Sequence, residues 1–317
     1  MIATAYVVEC ATGTVLASGC LPVGANLAMV VPVASLTPVF AGASARLTAE
    51  VLTGDAYVLG RSLSNIAASA AQLLGLAGGG IAAAALGTRP TLLVAAAVHL
   101  VAAVAVRVRL PDLPPAARPP DEMPRSVLGQ SWSGNWHLLT NPVVRVLLLA
   151  QWLPLAFIAG AESLVIPYDA SRDLPTSSPG LLLACLPVGM IIGNLAVTRF
   201  ARPATRERLT TPLMVLCGLP LVAFAINPPL TASAGLLTVT GSGLAYSLGI
   251  QRRFLDTTPT AIRGQAFGLL STGVMTMQGL GPAAFGAVAE AASVGLAIAL
   301  AGTATLLVAF TLRTPPG

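Results

Sequence analysis

The chain has 317 residues, of which 55% are hydrophobic and only 9% charged, and its mean hydropathy is +0.81. Soluble domains carry roughly 25% charged residues, so this chain has too little polar surface to cover a water-soluble globule, and the same count excludes a disordered chain or a coiled coil. All 17 basic residues are Arg and the formal net charge is +5. Because the arginines fall between apolar runs, that excess points to membrane orientation rather than to a nucleic-acid partner.

In chain order, apolar runs lie at about 2–19, 22–42, 60–83, 90–108, 143–166, 179–198, 211–227, 229–250, 265–288 and 292–311. Each is near the ~20 residues a helix needs to cross the hydrocarbon core. They are continuously apolar, whereas barrel strands alternate, so the expected class is an all-α polytopic membrane protein with about ten transmembrane helices. The run at 2–19 reads as a span and not a signal peptide, because it lacks a basic leader and Glu9 interrupts it.

The arginines test this count. With the N-terminus inside, the inner loops and tail hold Arg46, Arg61, Arg107, Arg109, Arg118, Arg125, Arg145, Arg199, Arg202, Arg206, Arg208, Arg252, Arg253, Arg263 and Arg313, and the outer loops hold only Arg89 and Arg172. A split of fifteen to two supports both spans and orientation, with both termini expected in the cytoplasm; the expected location is the inner (plasma) membrane.

The longest loop divides the chain into an N-terminal helical bundle of four spans (1–108), a cytoplasmic linker (109–142) and a C-terminal six-helix bundle (143–317). The linker opens Pro-rich, as an extended segment. Its second part places Leu128, Trp132, Trp136 and Leu139 at near-helical spacing, which predicts a short amphipathic helix on the inner membrane face, stopped by Asn141-Pro142. A shift of 206 residues aligns the two ends of the chain: Arg46 meets Arg252, Gln72 meets Gln278 and Gly75 meets Gly281. Both copies start and end on the same side, as in two-bundle secondary transporters with parallel repeats. The early four spans pair with the last four of the later six, so two helices are expected to be missing from the N-terminal bundle relative to a six-plus-six plan.

Asn141-Pro142-Val143-Val144-Arg145, the span ending Ala161-Glu162-Ser163-Leu164-Val165-Ile166-Pro167, and Arg263-Gly264-Gln265-Ala266-Phe267-Gly268-Leu269-Leu270 resemble the seventh helix and the approach to the eleventh helix of the major facilitator superfamily, in particular its bacterial drug-exporter branch. The resemblance covers the chain minus the first two family helices, and implies a two-bundle fold (4 + 6) and alternating access. The exporters carry a GxxxGPxxGG pattern. Here Ala71 through Gly80 keeps Gly75, Gly79 and Gly80, with Ala71 for the first Gly and Leu76 for the Pro, and Gly281-Pro282 keeps the GP pair in the later half. Close helix approach for rocking and ordinary small-residue packing both fit this pattern. A second family pattern carries an Asp–Arg charge pair. Its copy at 196–202 has Thr198 where Asp is expected, so the pair is absent from that copy.

Ionisable groups at mid-membrane cost on the order of 3 kcal/mol on insertion scales. Glu162 is the first candidate for a proton-coupling group; a carboxylate merely hydrated near the outer interface is the other reading. Glu9, His99, Gln72, Gln151 and Gln278 are further candidates for the substrate and proton pathway, the other readings being a packed, hydrogen-bonded His99 and interhelix hydrogen bonds for the glutamines, while Asn194, beside Gly193, reads as packing. Arg46, Arg199, Arg252, Asp256 and Arg263 are inner-gate candidates or topology charges. Cys10, Cys20, Cys185 and Cys217 show no metal spacing, and there is no GxSxG, P-loop or HExxH, so neither an enzyme, a metal nor another cofactor is expected. The expected function is secondary transport, a proton-coupled efflux of small amphipathic compounds by an antiporter or permease whose partners are a small-molecule substrate, protons and the lipid bilayer, with no nucleic acid. The rival is a truncated, transport-inactive paralogue that acts as a membrane binding or regulatory protein.

Overall fold

Each apolar run folds as helix. The computed structural model describes residues 2–52, 54–109, 127–172, 178–259 and 262–312, and among them no strand occurs. The Pro-rich stretch at 110–126 and Arg313 lie outside these residues, as does the side chain of Leu128.

The helices are α1 (Ile2–Ser18), α2 (Val23–Val51), α3 (Asp55–Leu86), α4 (Thr88–Arg109), α5 (Val127–Thr140), α6 (Pro142–Ser163), α7 (Val165–Ala170), α8 (Ser178–Phe200), α9 (Pro203–Arg208), α10 (Thr210–Val222), α11 (Leu230–Gly243), α12 (Ser247–Thr257), α13 (Arg263–Ala291) and α14 (Val294–Thr311). A 3-10 turn extends α10 through Ile226, and another joins α11 to α12. Among the described residues, five segments are long and apolar enough to cross a membrane: Thr88–Arg109, Pro142–Ala170, Ser178–Phe200, Thr205–Ile226 and Val294–Thr311.

Several helices outrun their apolar cores. The expected loop at 43–60 shrinks to the few residues between Val51 and Asp55, and the loop at 199–210 contains α9. Hydropathy marks where hydrocarbon ends, but backbone hydrogen bonding and good helix formers such as Ala, Arg and Leu carry the helix onward. α5 forms where an amphipathic helix is expected, with Trp132 and Trp136 exposed at 74% and 63% and Leu138 buried at 2%. Asn141-Pro142 does more than stop it. Asn141 caps α6, its Oδ1 accepting from the backbone N–H of Val143 and Val144 at 3.0 and 3.3 Å, while Pro142 occupies the first turn where no N–H is needed.

The chain gathers into two units. One comprises Met1–Leu47, Gly78–Thr140 and Ala261–Ser271; the other comprises Thr48–Ala77, Asn141–Thr260 and Thr272–Gly317. In the first, α1 packs along α4, and a Cβ on Gly13 would stand 3.3 Å from that of Ala96. Gly19 leaves α1 with φ +66°, a left-handed turn beside the Arg89 guanidinium that a side chain could not enter.

The second unit is held by glycine-lined seams. On α8, Gly189 and Gly193 lie against the backbone of Thr238 and Ser242 on α11, and Gly241 of α11 lies against Leu186. Gly218 of α10 faces Gly302 of α14, where a Cβ would meet the opposite carbonyl at 2.7 Å. On α6, a Cβ at Gly160 would come within 3.0 Å of the Gly281 carbonyl on α13, and Gly281 itself abuts the Ala156 carbonyl. In an apolar medium such seams hold helices by dispersion and close backbone approach, because burial from water is not the driving force.

Candidate functional site

The second unit carries a half-open cavity of about 220 Å³ between α3, α6, α8, the 3-10 turn after α11, and α13. Its polar lining comprises Ser69 and Gln72 of α3, Glu162 of α6 and Gln278 of α13. Ser69 and Gln72 are three residues apart and so share one helix face. Glu162 sits in the last turn of α6. Pro167, lacking an N–H for the carbonyl of Ser163, accounts for the interruption at Leu164 that separates α6 from α7. Pro187, also on the wall, leaves the Leu183 carbonyl without its usual helical donor. The Gln72 side-chain amide donates to Glu162 Oε1 at 3.5 Å. Ser69 is 2% exposed, and its hydroxyl has no hydrogen-bond partner among the described residues.

Three residues singled out in sequence thus meet here: Gln72, Glu162 and Gln278. Gln151 does not join them; it is buried in α6, where its Nε2 donates to the Leu147 carbonyl at 3.2 Å. Glu9 and His99 meet each other in the first unit, with His99 Nε2 3.3 Å from the Glu9 carboxylate. His99 Nδ1 lies 2.7 Å from the Ala95 carbonyl, which only accepts, so Nδ1 carries a hydrogen and Nε2 faces the carboxylate.

In the exporter-like stretch Ala71 is exposed, and no described atom lies within 4 Å of a Cβ built at Gly75 or Gly79. The surroundings of Gly80 fall outside the described residues. The later copy is engaged, since Gly281 packs against α6 and Pro282 follows it, half-buried.

Of the gate candidates, Arg252 pairs with Asp256 one turn on, at 3.7 Å. Arg46 lies against Gly264, next to Arg263, and Arg199 is exposed. A stronger polar belt joins other residues. Arg206, 6% exposed, donates from Nη1 to Asp55 Oδ1 at 2.5 Å, from Nε to the Ala201 carbonyl at 3.1 Å and from Nη2 to the Thr198 carbonyl at 3.3 Å. The hydroxyls of Ser62 and Thr198 lie 2.6 Å apart, Asn65 donates to Asn194 at 3.4 Å, and Arg61 Nε donates to Gln251 at 3.4 Å. Thr198 therefore has a hydroxyl partner on α3, and an ion pair, Asp55–Arg206, lies beside it. Asp55 was recognisable as the acidic residue of the first turn of α3, but nothing in the sequence named its partner.

No family profile matches the chain, and no curated protein matches it by sequence. Its fold matches the crystal structure of the human organic anion transporter MFSD10 (TETRAN), with a TM-score of 0.80 at 17% identity over 98% of this chain and 76% of that one. The chain is a multi-pass membrane protein, helical and without strands among its described residues, and its fold agrees with the major-facilitator resemblance.

Proposed function

We propose that the chain is a secondary active transporter of the inner (plasma) membrane that exports small amphipathic compounds by alternating access, with Glu162 carrying the coupled proton. The observation that carries this reading is the cavity that unites Gln72, Glu162 and Gln278 on different helices. An intramembrane carboxylate beside a cavity is a functional candidate by its insertion cost alone. The fold shared with a solved transporter supports transport as the activity. In this reading the termini and the Asp55–Arg206 belt are cytoplasmic, spans at 1–108 and 143–317 form bundles of four and six, and α5 lies on the inner membrane face. Arg46, Arg199, Arg252, Asp256 and Arg263 lie at the inner gate. The rival, an inactive membrane binding protein, rests on the two helices expected to be missing and on Thr198, and the Asp55–Arg206 pair weakens the second of these grounds.

The test is efflux from loaded vesicles under an imposed pH gradient. Glu162→Gln should abolish gradient-driven efflux, while Gln151→Leu, outside the cavity lining, leaves at least half the rate. Equal rates for wild type and Glu162→Gln would reduce Glu162 to a hydrated carboxylate and remove the proposal's basis.

A further inference from the structure

We propose that the Glu162 cavity selects small primary amines in their protonated form and rejects both carboxylates and quaternary ammonium ions; this rests on the reading of the cavity as the substrate site. Charge sets the first limit. Glu162 is the one ionisable residue among the described residues lining the cavity, and no Arg, Lys or His accompanies it. Anion sites are built from guanidinium forks or converging N–H groups, and a carboxylate ligand here would face another carboxylate.

Hydrogen-bonding capacity sets the second limit. Glu162, Gln72 and Gln278 supply carboxylate and amide oxygens; each glutamine also carries an amide N–H₂, and that of Gln72 is turned onto Glu162 itself. Ser69 adds a buried hydroxyl that no described residue satisfies. Buried polar atoms in folded proteins are almost always paired, so this unpaired hydroxyl just behind the lining adds unused hydrogen-bonding capacity to that wall. A primary ammonium brings three N–H donors to such a set of acceptors. A quaternary ammonium brings none, and relies instead on aromatic faces. None of the described lining residues is aromatic; the walls are aliphatic, among them Leu155, Ile158, Leu186, Met190 and Leu244. The space is modest, about 220 Å³ in a half-open cleft, which suits a compact ligand. The fitting cargo is a compact hydrocarbon group ending in –NH₃⁺. The ammonium and a proton compete for the same carboxylate, so loading one releases the other without any further group.

Three matched probes separate the possibilities: phenethylammonium, benzyltrimethylammonium and 3-phenylpropionate, titrated calorimetrically into the purified full chain in lipid nanodiscs. Phenethylammonium should bind at least tenfold more tightly than either of the others. Ser69→Ala should weaken it several-fold, and Glu162→Gln should abolish it. The wild-type comparison needs no variant to fold. Benzyltrimethylammonium or 3-phenylpropionate binding as tightly as phenethylammonium, with dependence on Glu162, would overturn the selectivity and leave the cavity as a substrate site. Phenethylammonium binding that survives Glu162→Gln, or no binding of any probe, would overturn both.

Discussion

Ser69 shows what a single side chain reveals only once the fold is known. In sequence it is one more small residue in Ala68-Ser69-Ala70-Ala71, indistinguishable from helix-packing residues. In the structure its hydroxyl is buried at the cavity wall without a partner. Removing an unsatisfied hydroxyl costs the unliganded protein nothing, so Ser69→Ala should leave thermal unfolding in detergent unchanged, or raise stability by up to about 1 kcal/mol. A clear fall in the unfolding temperature would mean that the hydroxyl holds the fold together. Glu162, Gln72 and Gln278 were legible beforehand for the opposite reason, because polar groups inside apolar runs stand out by their insertion cost. Gln151 stood out equally and proved to be satisfied by its own helix, a local arrangement that composition does not distinguish from a cavity group.

Among the elements, the polar belt at the start of α3 is the clearest case of structure adding to sequence. Asp55 and Arg206 are 151 residues apart in the chain, and no local pattern links them. Arg206 is nearly buried while Asp55 is about half exposed, so their pair is worth less than a fully buried one and more than a surface one. Asp55→Asn should cost about 1–2 kcal/mol of stability, with Arg206→Gln costing a similar amount and the double variant little more than either alone. Additive losses in that double-mutant cycle would show that the two side chains act independently. The helices themselves were legible from hydropathy, and the amphipathic α5 from its tryptophan and leucine spacing. Helix ends were not, since α2 and α3 continue past the charged residues that close their apolar runs.

For the whole molecule, hydropathy and the alternation of arginines were enough to anticipate an all-helical membrane fold, because both follow from the physics of a bilayer rather than from side-chain detail. Of the boundaries between the two units, the one at 140/141 falls at Asn141-Pro142, where the sequence marks a stop, whereas those at 47/48, 77/78 and 271/272 fall inside α2, α3 and α13, where no composition change marks them. The orientation drawn from the arginines has a direct check. In a variant lacking the four native cysteines, Thr205→Cys should resist a membrane-impermeant thiol reagent in intact cells, and Ser171→Cys should react. Both sites are exposed in the structure, so burial does not confuse the outcome. Labelling at 205 with protection at 171 would invert the orientation.

The glycine seams of the second unit bear on how the protein is made. Chains emerge N-terminus first, so α6 and α8 enter the membrane before the helices they clasp. Gly189 and Gly193 can find their partner once α11 is inserted, but Gly160 waits for Gly281 on α13, and Gly218 waits for Gly302 on α14. Two of the seams therefore close only when synthesis is almost finished. Until then α6 and α10 present bare glycine faces to lipid or to whatever chaperone attends them, and a ribosome stalled before α13 would release a half-zipped bundle. Quality control that recognises unpaired glycine faces would act on this protein late in its synthesis.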